Sequence, residues 1–95
     1  MRESLRIDKW LWHARFCKTR AMAQEKALQG HIRINGHRVE KPSAAVRVGD
    51  IMTLSAGGHV LSLRVTGLGL RRGPAAEARE LYDILPEQAA RQNAN

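Results

Sequence analysis

Four histidines, one cysteine and a handful of glycines are the residues of this 95-residue chain whose types could carry covalent or metal chemistry. Their spacing supports neither. His13, His31, His37 and His59 show nothing like the H-E-x-x-H spacing of a metal site and read as surface or hairpin histidines. Cys17, being alone, excludes an internal disulfide and a thiolate zinc site. Lys18 beside it would lower its pKa, but a lone buried or half-buried thiol is the better reading. Gly67, Gly69 and Gly73 miss the interval of a dinucleotide fingerprint, and no serine sits on a nucleophile elbow. The expectation is no enzyme, no catalytic residue, no metal and no cofactor. Phosphate recognition is better supported. Lys18, Thr19 and Arg20 stand at a joint between two helical patterns, where free N–H groups and the helix dipole suit an anion. The neighbouring cations add point charge and bidentate donors. Arg33, Arg38 and Lys41 would extend that surface across a hairpin, with Asn35 exposed at its tip.

The charge distribution agrees. Residues 1–47 carry eleven cations and four anions, whereas residues 48–95 carry five of each, so the whole net charge of +7 lies in the first half. A field of that kind attracts polyanions. Hydrophobic residues at 43% and charged residues at 26% describe a soluble globular chain. So short a chain has a small core, which argues against a deep catalytic cavity. No apolar run approaches the roughly 20 residues of a membrane span and no signal-peptide stretch opens the chain. A cytoplasmic protein without membrane contact is expected.

These residues need elements to hold them. Residues 7–16 read as a helix, with Asp8 as N-cap and a core stripe of Ile7, Trp10, Leu11 and Ala14. Trp12 and Phe16 lie opposite that stripe. They could stack on unpaired bases, but burial under Leu81 and Tyr82 is the stronger expectation. Thr19 caps a second helix over residues 20–29, with Ala21, Ala23, Ala27 and Leu28 inward and Gly30 as the stop. Ile32–Ile34, Asn35-Gly36 and His37–Val39 form a hairpin with a type I′ turn. Its register sets Arg33 against Arg38, a repulsion that an anionic partner would remove. Strands follow at residues 46–48, 51–54 and 60–66. A short helix begins at Gly73-Pro74, where Pro74 suits the first helical position. It carries Glu77, Ala78, Leu81, Tyr82 and Leu85, and ends at Pro86. The expected fold class is α+β, with two N-terminal helices packed on a small bent antiparallel sheet and a short C-terminal helix. Residues 1–86 would form one domain, leaving 87–95 as a disordered tail.

Arg6-Ile7-Asp8-Lys9-Trp10-Leu11, Lys18-Thr19-Arg20 and Ala23 resemble the RNA-binding domain of the ribosomal protein S-four type, also called the alpha-L motif. Gly30–Gly36, Val39, Pro42, Val46 and Val48-Gly49-Asp50 continue the likeness, which spans residues 6–54. Asp8–Phe16, Arg71–Pro74, Glu77-Ala78 and Leu81-Tyr82 look like the ribosome-associated fifteen-kilodalton heat-shock protein family. The resemblance implies binding of structured ribosomal RNA on free or stalled large ribosomal subunits that hold a nascent chain on tRNA, in their rescue or recycling. Carried onto this chain, the RNA face would use Arg6, Lys9, Lys18, Thr19, Arg20, Lys26, Arg33, Asn35, Arg38 and Lys41. Longer members continue into a basic extension, whereas beyond Pro86 the one basic residue in this sequence is Arg91. A monomer with secondary affinity for DNA is expected. Two rival readings stand beside this one: a helix-turn-helix DNA-binding regulator, and the RNA-targeting subunit of a separate modifying enzyme.

Overall fold

The computed structural model describes residues 3–56 and 58–86. The tail expected at 87–95 lies outside them. Among the described residues the chain runs β1 (Leu5–Arg6), α1 (Ile7–His13), α2 (Arg20–Leu28), β2 (Ile32–Ile34), β3 (His37–Arg38) and β4 (Ala45–Val46). β5 (Ile51–Ala56), β6 (His59–Val65), α3 (Ala75–Ala78), a 3₁₀ turn at Arg79–Leu81 and β7 (Tyr82–Ile84) complete it. The class is α+β as expected, but the strands form two antiparallel ladders where one bent sheet was expected. β1 pairs with β4, and five strands run in the order β3-β2-β5-β6-β7.

α1 stops three residues short of the expected Phe16. The cause is a Schellman ending, in which Phe16 N–H donates to the Leu11 carbonyl at 3.0 Å and Arg15 N–H to Trp12 at 3.2 Å. This motif needs a left-handed residue just past the helix. Arg15 takes that place at φ 64°, where glycine is usual. At the other end Arg6, not Asp8, occupies the N-cap position and gives no side-chain cap. Instead β1 runs straight into the helix, and the Ile7 and Asp8 N–H groups donate to the Ala44 and Pro42 carbonyls at 2.8 and 3.3 Å. The loop before β4 thus satisfies two of the free donors of α1.

α2 is capped as expected, the Thr19 hydroxyl accepting from Met22 N–H at 3.1 Å, and Gly30 follows at φ 76°. Its buried face is narrower than expected. Ala23 and Ala27 are buried, whereas Ala21 and Leu28 are exposed. At 100° per residue those two lie about 140–160° from Ala23, on the far side of the helix. The hairpin has the expected register, Arg33 opposite Arg38 and Ile34 opposite His37. Asn35 and Gly36 are both left-handed, as a type I′ turn requires.

The C-terminal part departs most. Pro74 occupies the N-cap position, the helix lasts one turn, and Tyr82–Ile84 become a strand against β6. The helical spacing of Leu81, Tyr82 and Leu85 is overridden by long-range pairing. Thr66 and Gly67 N–H both reach the Leu81 carbonyl, and Val65 pairs with Tyr82. Ile7, Trp10, Leu11 and Ala14 are buried together with Ile32, Val46, Met52, Leu63 and Val65. Phe16 lies on Tyr82 with ring centroids 4.8 Å apart, as expected. Trp12 does not join it; half-buried, it rests against the His13 ring at 5.8 Å. His13 is itself buried, contrary to the surface reading, with Nδ1 3.2 Å from the Leu68 carbonyl.

Candidate nucleic-acid interface

The first cluster forms where α1 and α2 begin. Asp8 is fully buried, and its carboxylate accepts the Lys9 N–H at 2.7 Å and the Gln24 amide at 3.1 Å. Arg6 donates to both carboxylate oxygens, at 3.2 and 3.1 Å, and Arg20 Nε lies 3.5 Å from Oδ2. Burial alone would raise the Asp8 pKa. The hydrogen bonds from Arg6 and Gln24, the Arg20 charge and the Lys9 N–H outweigh it and hold the carboxyl below its ordinary value. Two guanidinium groups therefore share one carboxylate, leave one net positive charge and stay about half exposed. A planar fork fixed at one edge presents its remaining donors in a set direction. Lys18 and Thr19, both exposed, immediately precede Arg20.

The second cluster lies on the hairpin. Arg33 and Arg38 are exposed and directly opposed. The Arg38 guanidinium reaches back over Gly30, leaving no room there for a Cβ. The hairpin is thereby placed beside the C-terminal end of α2, whose last turn carries Lys26. Replacing Gly30 by alanine must displace that guanidinium and strain a left-handed backbone. We expect it to cost about 1–2 kcal/mol in urea unfolding. A groove of about 390 Å³ opens between the hairpin and the β4 segment, lined among others by His37, Arg38, Lys41 and Arg47. Among the described residues, Lys9, Lys18, Lys26, Arg33, Arg38 and Lys41 take part in no ion pair.

Asn35, like Arg6, Thr19 and Arg20, is an expected site residue whose side chain is already engaged within the fold. Its amide donates to Asp50 at 3.1 Å, its carbonyl oxygen accepts Ile51 N–H at 2.9 Å, and its own N–H donates to Ile51 O at 2.7 Å. Asp50 in turn accepts the Arg47 N–H at 2.9 Å. Asn35 fixes the hairpin tip to the following turn and so positions the arginines around it. Three residues were missed by sequence reasoning. By sequence alone Arg47 enters only the charge count, Asp8 reads as a cap, and Arg15 has no assigned role. An acidic residue flanked by Arg6 and Lys9 in a basic segment is the signal that could have exposed Asp8. The Cys17 thiol is buried, and burial pushes its pKa up, Lys26 opposing only in part.

A family model described as S4 domain matches residues 5–51. Heat shock protein 15 of Escherichia coli K12 is 42% identical over 83 residues, 87% of this chain and 62% of the relative. The RQC P-site tRNA stabilizing factor of Bacillus subtilis 168 is 37% identical over 84 residues, covering 88% of this chain and 95% of that protein. Among solved structures, the trimeric structure of Vibrio cholerae heat shock protein 15 superposes with a TM-score of 0.82 at 36% identity. That match covers 94% of this chain and 89% of the other. Among the curated relatives, the chain spans about 60% of the length of the heat shock protein 15 sequences and nearly all of the stabilizing factor.

Proposed function

Because the chain belongs to the S4-domain family, we propose that it is a non-enzymatic RNA-binding protein that recognises structured ribosomal RNA on a large subunit retaining tRNA. The observation that carries this reading is the excess of positive charge along the helix pair and hairpin, with Arg6 and Arg20 ordered by Asp8 at one end and the hairpin arginines placed by Asn35 and Gly30 at the other. Phosphate contacts supply most of the affinity, and shape with a few sugar or base contacts supplies selectivity. Arg6, Lys9, Lys18, Arg20, Lys26, Arg33, Arg38 and Lys41 are the proposed contacts. Thr19 offers its helix N-terminus, and Asn35 acts mainly through positioning. The name of the Bacillus subtilis relative supports a site near ribosome-bound tRNA. The name of the heat shock relative supports a role under stress. No helix among the described residues is long and apolar enough to cross a membrane. The tRNA-related name of the Bacillus subtilis relative supports a cytoplasmic location. We take one copy as the binding unit, with sedimentation equilibrium as the check, since the Vibrio cholerae relative is trimeric.

With about six phosphates neutralised, log K falls against log salt with a slope near −4 to −5. Arg33→Ala is expected to weaken binding to large-subunit RNA and to reduce that slope by about one, leaving thermal unfolding nearly unchanged or slightly improved. Filter binding across a salt series checks this. Sucrose-gradient sedimentation of extract tests the ribosomal assignment, and recovery only at the top in low salt would defeat it. Stronger competition by duplex DNA than by structured RNA would favour a DNA regulator.

A further inference from the structure

Three arginines outside the helix-hairpin face meet at one joint, on a segment that the function proposed above does not use. α1 ends at Arg15, whose Nε donates to the Gly73 carbonyl at 2.7 Å. The loop from Leu68 to Gly73 thus lies along the end of α1, with Gly69 against the His13 side chain. It carries Leu70, Arg71 and Arg72. Leu70 is entirely exposed, the most exposed of the large apolar side chains among the described residues. Arg71 pairs with Glu77 at 3.2 Å, the arginine largely in water and the carboxylate about half exposed. Arg72 is half-buried, and its Nε is shielded from solvent with no hydrogen-bond partner. Neither Arg15 nor Arg72 is matched by a carboxylate among the described residues.

A partly desolvated guanidinium with an unpaired donor attracts an anion more strongly than a fully hydrated one. With Glu77 counted against Arg71, the joint keeps two uncompensated positive charges. The segment lies beyond residue 51, where the family match ends, and it packs on the C-terminal end of α1, opposite the end that carries the Asp8 cluster. We propose that this joint is a second RNA contact, in which Arg71 and Arg72 hold backbone phosphate and Leu70 packs on an adjacent ribose or unpaired base. Arg15 tethers the loop through the Gly73 carbonyl and lends its remaining donors. The proposal rests on the RNA reading. It adds that the protein grips RNA at two separated points, so that losses at one multiply losses at the other.

The test uses the full chain and purified large-subunit ribosomal RNA, with Arg20→Ala as the reference for the helix-hairpin face. The double variant Arg71→Gln/Arg72→Gln is expected to weaken binding about tenfold and to flatten the salt slope by about two. Combined with Arg20→Ala, its fold-loss should multiply. Leu70→Glu, whose side chain touches no core, should weaken binding severalfold with an unchanged melting temperature, and it decides the matter if the double variant unfolds. Unaltered affinity and slope in Leu70→Glu and in the folded double variant, while Arg20→Ala binds poorly, would overturn the second contact and leave the RNA reading standing. Equal displacement by polyglutamate and by RNA at matched charge would overturn the choice of partner. Wild-type protein that binds no RNA would overturn both.

Discussion

Replacing Trp10 by alanine should cost about 3–5 kcal/mol of folding stability. Trp10 has no exposed surface, and its indole N–H donates to the Gly67 carbonyl at 2.8 Å. Its ring lies 6.0 Å from Phe16 and 6.5 Å from Tyr82. The side chain therefore joins α1 to the Gly67 loop and to β7, and its loss leaves a cavity together with an unpaired carbonyl. A chain this size has about 5–14 kcal/mol of stability in total, so the variant is at best marginally folded. At about 4–8 °C per kcal/mol, its melting temperature should fall by at least about 12 °C. Trp10→Phe should do less harm, about 1–3 kcal/mol, because most of the apolar area survives while the Gly67 carbonyl goes unpaired. A loss below about 1 kcal/mol in the alanine variant would contradict the packing described here.

Asp8→Asn is expected to show the second-largest effect, about 1–3 kcal/mol near neutral pH. Breaking a fully buried ion pair costs about 3–5 kcal/mol. Here Arg6 and Arg20 are about half exposed and can rehydrate, which reduces the figure. The pH dependence identifies the mechanism. The folded-state pKa of Asp8 is depressed, so its contribution is fully present above the unfolded value of about 3.9 and is lost as pH falls through the folded value. Urea unfolding should give a constant difference between wild type and variant from about pH 5 to 7, shrinking below about pH 4. RNA affinity should also drop, since both arginines lose the carboxylate that orients them. A difference that grew on acidification would refute this account.

The parts of the molecule governed by short-range rules were legible in the sequence. Thr19 as a cap, Gly30 as a stop and the Asn35-Gly36 turn each rest on one residue's backbone preference, and the structure has all three. The core stripe of α1 follows from its periodicity. What escaped depends on distant chain. Helical spacing at Leu81 and Tyr82 gave no sign that β6 would draw Tyr82–Ile84 into the sheet. The α1 ending was hidden because an arginine fills the left-handed position where glycine would have announced it. The same holds at the candidate interface. Residue types and charge pointed to the cationic face, but Asp8 as the shared partner of two arginines required both helices to be in place. Asn35 is exposed at the hairpin tip as expected, but its bonds to Asp50 and Ile51 were hidden because only the fold brings those residues to it.

The indole of Trp10 finds its acceptor 57 residues downstream, and its ring finds Tyr82 further still. During synthesis the helix pair emerges before the surface that seals it. At about 5–20 residues per second, Trp10 waits several seconds for that surface. A chain interrupted before β7 would leave the aromatic cluster open to water and to other chains, so the protein's own translation is where it is most vulnerable to aggregation.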